Sequence, residues 1–180
     1  MLKKLKRYRF LFEELVKRDF KKKYKGAVLG LGWSLLSPLL MLLVMKLVFT
    51  QFFGRATPHY TIYLFAGNLI FSYFSEATKG GMTSLMENAK IFTKVDVPKY
   101  IFLFSKNVQT FIGFLLTLVL FFIFVAFDGL AFSWKFLMLL YPTVLLLAFN
   151  IGVGLILSAL YVFFRDTKYL YDVFLKLLMY

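Results

Sequence analysis

The 180-residue chain is 61% hydrophobic and 21% aromatic, and it carries a formal net charge of +13. An ordinary soluble domain is about 45–50% apolar, so this composition, with a mean hydropathy of +0.75, excludes a soluble globule. Half of the 22 Lys and Arg precede Gly26 and most of the rest fall between apolar runs, which is the positive-inside pattern of a membrane protein and argues against nucleic acid as a partner.

Residues 1–27 form the first element. Leu5, Phe12, Leu15 and Val16 share one helical face with Phe20 close by, while Lys6, Arg9, Glu13 and Lys17 fill the other. A helix solvated in the cytoplasm has this pattern, but the adjoining apolar run favours a basic amphipathic helix lying at the membrane interface. Residues 10–27 are too polar for the apolar core of a cleavable signal peptide, so the first span is expected to serve as its own insertion signal. Four runs then have the length of a membrane crossing, which takes about 20 helical residues: 31–53, 60–80, 107–127 and 136–163. Pro38 is tolerated in the first turns of its span or kinks it. Pro58 and the Gly80-Gly81 pair bound the second span, and Asp128-Gly129 ends the third. Gly152 and Gly154 let a neighbouring helix approach the fourth.

A last apolar segment, 169–180, is shorter than a bilayer. It either lies along the interface or is the start of a fifth span in a truncated protein. The second reading is adopted, because a chain end within lipid would leave helix carbonyls unpaired. The fold class is therefore all-α and polytopic. Basic residues concentrate in the N-terminal segment, in 81–106 (four Lys) and in 164–172 (Arg165, Lys168). Those segments are expected on the cytoplasmic side, with the N-terminus.

The residues offer little reactive chemistry. There are no cysteines, and no clustered carboxylates, His/Asp/Glu set or Ser/Lys pair of the kind that intramembrane catalysis needs. No Walker-type phosphate loop is present, so the chain itself is expected to bind no cofactor and hydrolyse no nucleotide. His59 beside Pro58 reads as a solvated loop residue rather than a metal ligand. Glu76 and Lys79, three apart, can pair on one helix face. Lys46, deep in the first span, either lines a polar pathway or pairs or snorkels. The 82–98 segment is longer than a simple connection requires. Leu85, Met86, Ala89, Ile91 and Phe92 are the apolar positions of a short helix over 83–94, and Pro98 breaks the chain before the third span. An exposed Ile91-Phe92 pair flanked by lysines suggests docking of a soluble partner, against the alternative of a helix lying on the membrane surface.

Three segments together resemble the ABC-2-type permeases that export polysaccharides and polyol phosphates. The first places Arg18, Asp19, Tyr24, Leu29, Gly30, Trp33 and Pro38 across the entrance to the first span. The second is KIFTKVDVP, Lys90 to Pro98, and the third is FFRDTKYLYDVF, Phe163 to Phe174. The resemblance covers essentially the whole chain and implies a six-span permease in the cytoplasmic (inner) membrane of a bacterium. It implies a second copy of the chain as partner, and a separate ABC ATPase subunit that holds ATP and Mg. It also implies a polyprenyl-diphosphate-linked glycopolymer as substrate, such as O-antigen, teichoic acid or capsule. By the same resemblance Lys90, Ile91, Phe92, Lys94, Val95 and Pro98 couple to the ATPase. Arg18, Lys21, Lys22, Lys23, Tyr24, Lys25, Gly30 and Gly32 would receive the lipid diphosphate, and Trp33, Phe71, Tyr73 and Phe74 would line the channel. A permease for a drug or small lipid, or a non-transporting membrane scaffold, are the alternatives.

Overall fold

Helix is the only regular structure among the described residues, as apolar segments require if their backbone groups are to pair internally. The structure is a computed structural model, which describes residues 8–24, 30–53, 59–129 and 134–179. Helix α1 runs Arg9–Tyr24, and a 3₁₀ turn, Gly30–Gly32, leads into α2, Trp33–Phe53. Then follow α3 (Tyr60–Glu87), the single turn α4 (Ala89–Phe92) and α5 (Tyr100–Phe127). A 3₁₀ segment, Trp134–Leu139, precedes α6 (Leu140–Phe163) and α7 (Thr167–Met179). Among the described residues α5 and α6 are long and apolar enough to cross a membrane, and Trp33–Val48 of α2 is a shorter apolar stretch. The 28 residues of α5 span about 42 Å at 1.5 Å per residue.

Helix α3 is the hub. It packs along α5 on one side and α6 on the other, with α2 against a third face. Toward its start, Phe65 meets Leu42 of α2 and Phe121 and Val125 of α5. Midway, Leu69, Tyr73 and Ala77 meet Phe114. At its other end Met82 packs with Leu157 of α6 and with Tyr171 and Leu175 of α7. That end, where α1, the 88–99 connection and α7 converge, is here called the basic end. At the opposite end His59, with a left-handed φ of 55°, pairs with Asp128.

Several expectations change. Gly80-Gly81 does not end a helix, since α3 continues through both to Glu87. The glycines serve close approach instead: a Cβ on Gly81 would lie 3.0 Å from Gly154 Cα, and one on Gly80 would lie 3.0 Å from the Lys106 side chain. Residues 83–87 therefore complete α3 and do not begin a separate helix. The third apolar helix starts at Tyr100, two residues after Pro98, where the sequence places its start at 107. Glu76 and Lys79 do not pair with each other. Glu76 pairs with Lys23 of α1, and Lys79 with Asp172 of α7 at 2.7 Å.

Candidate substrate clefts and coupling surface

Helix α1 is held down by its apolar face. Leu15, 3% exposed, packs with Val97, Ile101 and Phe102, and partly buried Leu11, Phe12, Leu85 and Ile91 surround them. Asp19 is buried beside them. Arg18 donates to Asp19 Oδ1 at 2.6 Å and to Asn88 Oδ1 at 2.8 Å. Asn88 in turn donates to the Ser84 carbonyl at the end of α3. A buried carboxylate needs such a partner, and this one ties α1 to the break between α3 and α4. On the open face of α1, Arg9 donates a hydrogen bond to Glu13 at 2.7 Å. That bond first, and the charge of Arg9 second, hold the Glu13 carboxyl below its ordinary range.

The last turn of α1 carries Lys21, Lys22 and Lys23, all exposed, and cations are favoured at a helix C-terminus. Two of them open onto a cleft of about 770 Å³ bounded by α1, α3, α5 and α7, with Lys22, Lys23, Lys79 and Lys106 among its lining. A second cleft of about 630 Å³ lies between α2, α3 and α5, where Ser34, Ser37, Thr110 and Thr117 give it a hydroxyl-bearing wall. The two adjoin, sharing Lys23, Asn68, Ser72 and Glu76. Such a mixed polar groove beside apolar helices can hold a ligand with a charged head and neutral hydroxyls.

The residues anticipated for substrate contact are distributed over this geometry. Trp33, 38% exposed, and Tyr73 line the second cleft, and Phe71 lines the first. Tyr73 is buried, its ring 4.5 Å from that of Phe114. Phe74 lines neither and stacks on Phe149 of α6 at 6.0 Å. Gly30 takes a positive φ of 47°, a conformation open to glycine, and Gly32 closes the same 3₁₀ turn. Lys25 lies outside the described residues, as do the side chains of Tyr24 and Phe92. On the 88–99 connection Lys90, Lys94 and Val95 are exposed and Pro98 is half-buried, but Ile91 is half-buried in the cluster that holds α1. The anticipated exposed Ile-Phe pair is thereby corrected at Ile91, which faces inward because Leu15 and Ile101 offer it an apolar surface. Lys46 is exposed on α2 and lines neither cleft.

The sequence model of the family described as ABC-2 type transporter matches residues 11–180. The chain belongs to the ABC-2 type transporter family. It is similar to the "O-antigen export system permease protein RfbA" of Myxococcus xanthus, 31% identical over 172 residues, covering 94% of this chain and 65% of that relative. A protein of the same name from Klebsiella pneumoniae is 28% identical over 178 residues, covering 95% of this chain and 68% of the relative. The chain thus spans about two thirds of the length of the relatives it matches.

The sequence reading of this ABC-2 chain passed over the buried amides and hydroxyls of its helices. Asn107, Gln109, Asn150 and Ser158 are all buried. Asn107 stands at the Gly81–Gly154 crossing and donates to the Leu103 carbonyl at 3.1 Å. The Tyr171 hydroxyl donates to Thr78 Oγ1 at 2.7 Å, fixing α7 to α3. An amide within an otherwise apolar helix is the signal that identifies such positions, since it is costly there unless it faces another helix or a polar cavity.

Proposed function

We propose that this chain is the membrane-spanning permease subunit of an ATP-driven exporter that carries a polyprenyl-diphosphate-linked cell-envelope polysaccharide across a bacterial cytoplasmic membrane. The observation that carries the reading is the pair of adjoining clefts, lysine-lined at the end of α1 and hydroxyl-lined between α2, α3 and α5. The names of the relatives support a polysaccharide of the O-antigen kind. In this reading α2, α3, α5 and α6 all cross the bilayer, the basic end faces the cytoplasm and α7 begins a fifth span. Helix α3 can cross despite its charges because Glu76, Lys79 and Glu87 lie in its last part, and Tyr60 to Ser75 carries none.

The chemistry follows from the charge placement. Two unit charges 4 Å apart attract by about 1 kcal/mol in bulk water and about 4 kcal/mol at an effective dielectric constant of 20. Lysines at a half-shielded cleft therefore hold a diphosphate better than lysines in open solution. Lys21, Lys22 and Lys23 attract the head group, Lys25 adds to their field, and the Gly30–Gly32 turn brings backbone N–H groups toward phosphate oxygens. Arg18, committed to Asp19 and Asn88, positions α1. Sugar rings then pass over Trp33 and the hydroxyls of the second cleft. Two copies of the chain work with two ATPase subunits, which hold ATP and Mg and push on the surface around Lys90, Lys94 and Val95.

The test is deletion in the native host, with complementation by the wild-type chain or by Lys21→Gln/Lys22→Gln. The expected result is loss of surface polysaccharide with lipid-linked polymer accumulating inside, full rescue by the wild type and partial rescue by the double variant. Normal surface polysaccharide in the deletion strain overturns the proposal.

A further inference from the structure

Lys23 and Glu76 lie on helices 53 residues apart in sequence and form an ion pair, with side chains 35% and 46% exposed. Both residues line both clefts. The other two shared residues, Ser72 and Asn68, follow one and two turns further along the same stripe of α3. The pair therefore stands where one cleft gives way to the other. On one side of it are Lys22, Lys79, Lys106 and the buried Gln109, whose Nε2 has no hydrogen-bond partner among the described residues. On the other side are Trp33, Ser37, Thr110 and Thr117. The closest acid-base alternative for Glu76 on its own helix, Lys79, is held by Asp172. A head group lying across the junction of the two clefts meets the Lys23 ammonium and the Glu76 carboxylate.

We infer that the Lys23–Glu76 pair is a latch between the two clefts, opened by the phosphate or diphosphate of an incoming ligand that competes with Glu76 for Lys23. Glu76 then acts as a built-in competing anion and sets specificity. An anionic head group interacts differently with the closed and open arrangements, and only such a difference shifts the equilibrium between them. A neutral lipid lacks that difference and leaves the latch closed. The strength of the pair suits this role, because a partly exposed ion pair changes an equilibrium constant by only about two- to fivefold. It is strong enough to bias the passage and weak enough to be displaced. This inference rests on the proposed function for its ligand, and its test reads binding rather than export.

The chain suits a direct measurement. It has two tryptophans and no cysteine, so Trp134→Phe leaves Trp33 in the second cleft as the sole indole reporter. The full chain in lipid nanodiscs is titrated with a polyprenyl diphosphate, with the matching neutral polyprenol and with inorganic diphosphate. Glu76→Gln is expected to raise the affinity for polyprenyl diphosphate about threefold and Lys23→Gln to lower it by a similar factor, while polyprenol, which carries no charge, responds to the two substitutions alike. Opposite signs are the signature, because a pair that merely braced α1 to α3 would weaken binding on loss of either partner. For polyprenyl diphosphate, both substitutions acting in the same direction or neither acting would overturn the latch, and so would polyprenol showing the same opposite shifts. The same shifts with inorganic diphosphate sustain an anion-opened latch for a free anion, and shifts confined to the polyprenyl form sustain it for a lipid head group. If the deletion strain keeps normal surface polymer while these opposite shifts are found, the export reading fails and the latch stands.

Discussion

Gly81 and Gly154 let α3 and α6 meet backbone to backbone, and the contact leaves no room for a methyl group. A Cβ on Gly81 falls 3.0 Å from Gly154 Cα, and a backbone atom cannot swing aside as the end of a lysine can. Gly113 on α5 is the contrast, with nothing within 4 Å of its Cβ position. In a helix interior alanine is favoured over glycine by about 1 kcal/mol. At Gly113 that gain stands alone, and Gly113→Ala is expected to leave stability unchanged or raise it by up to about 1 kcal/mol. At Gly81 it is outweighed by overpacking, which costs about 1–3 kcal/mol. Gly81→Ala is therefore expected to lower the unfolding temperature in detergent while Gly113→Ala does not. Equal behaviour of the two variants would show that the α3–α6 crossing is looser than its geometry indicates.

At the scale of elements, α1 is joined to the helical body by a small apolar patch and a polar tie. Leu15 is its most buried side chain, and Leu→Ala at a buried site costs about 2–5 kcal/mol. That loss falls on one element, which can detach without unfolding the rest. Leu15→Ala is expected to speed tryptic cleavage at Lys21, Lys22 and Lys23 severalfold while the melting of α3, α5 and α6 is unchanged. Cleavage at the wild-type rate would mean that the polar ties, Arg18–Asp19–Asn88 and Lys23–Glu76, hold the helix without the apolar patch. Much of this element was legible: the face bearing Phe12 and Leu15 was readable from spacing alone. Its destination was not, because an apolar stripe has the same pattern whether it meets lipid or Val97 and Ile101. The glycine pair misled for a related reason, since Gly both ends helices and permits close crossings. The ion pairs of Glu76 and Lys79 were hidden more deeply. Their partners, Lys23 and Asp172, come from elements 53 and 93 residues away, whereas i,i+3 spacing reports only local neighbours. What the sequence conveyed well was the helical class and where each apolar segment lies, while α3 and α5 both run beyond their expected bounds.

Across the whole molecule, three elements converge at the basic end: α1, the 88–99 connection and the start of α7. A push there can reach the clefts through two routes. Arg18 and Asn88 join the connection to α1, and α1 carries Lys23 to Glu76. Lys79–Asp172 and Tyr171–Thr78 join α7 to α3. The outward-facing residues of the connection, Lys90, Lys94 and Val95, are then the surface on which the proposed ATPase acts, while Ile91 transmits the load inward to Leu15 and Ile101. This division separates two kinds of variant. Val95 is 53% exposed, so Val95→Asp removes an apolar contact for a partner and adds a charge, yet a surface change of this kind usually alters stability by no more than about 0.5 kcal/mol. An interface anchor typically costs more than 1 kcal/mol when lost, which is at least about fivefold in affinity. Val95→Asp is therefore expected to weaken co-purification with the ATPase and lower transport about five- to tenfold, with an unchanged unfolding temperature. Ile91→Asp buries a charge in the α1 cluster, and it should instead lower the unfolding temperature and expose Lys21–Lys23 to trypsin, as Leu15→Ala does. Full ATPase binding by Val95→Asp, or an unfolding temperature untouched by Ile91→Asp, would show that force enters the molecule elsewhere.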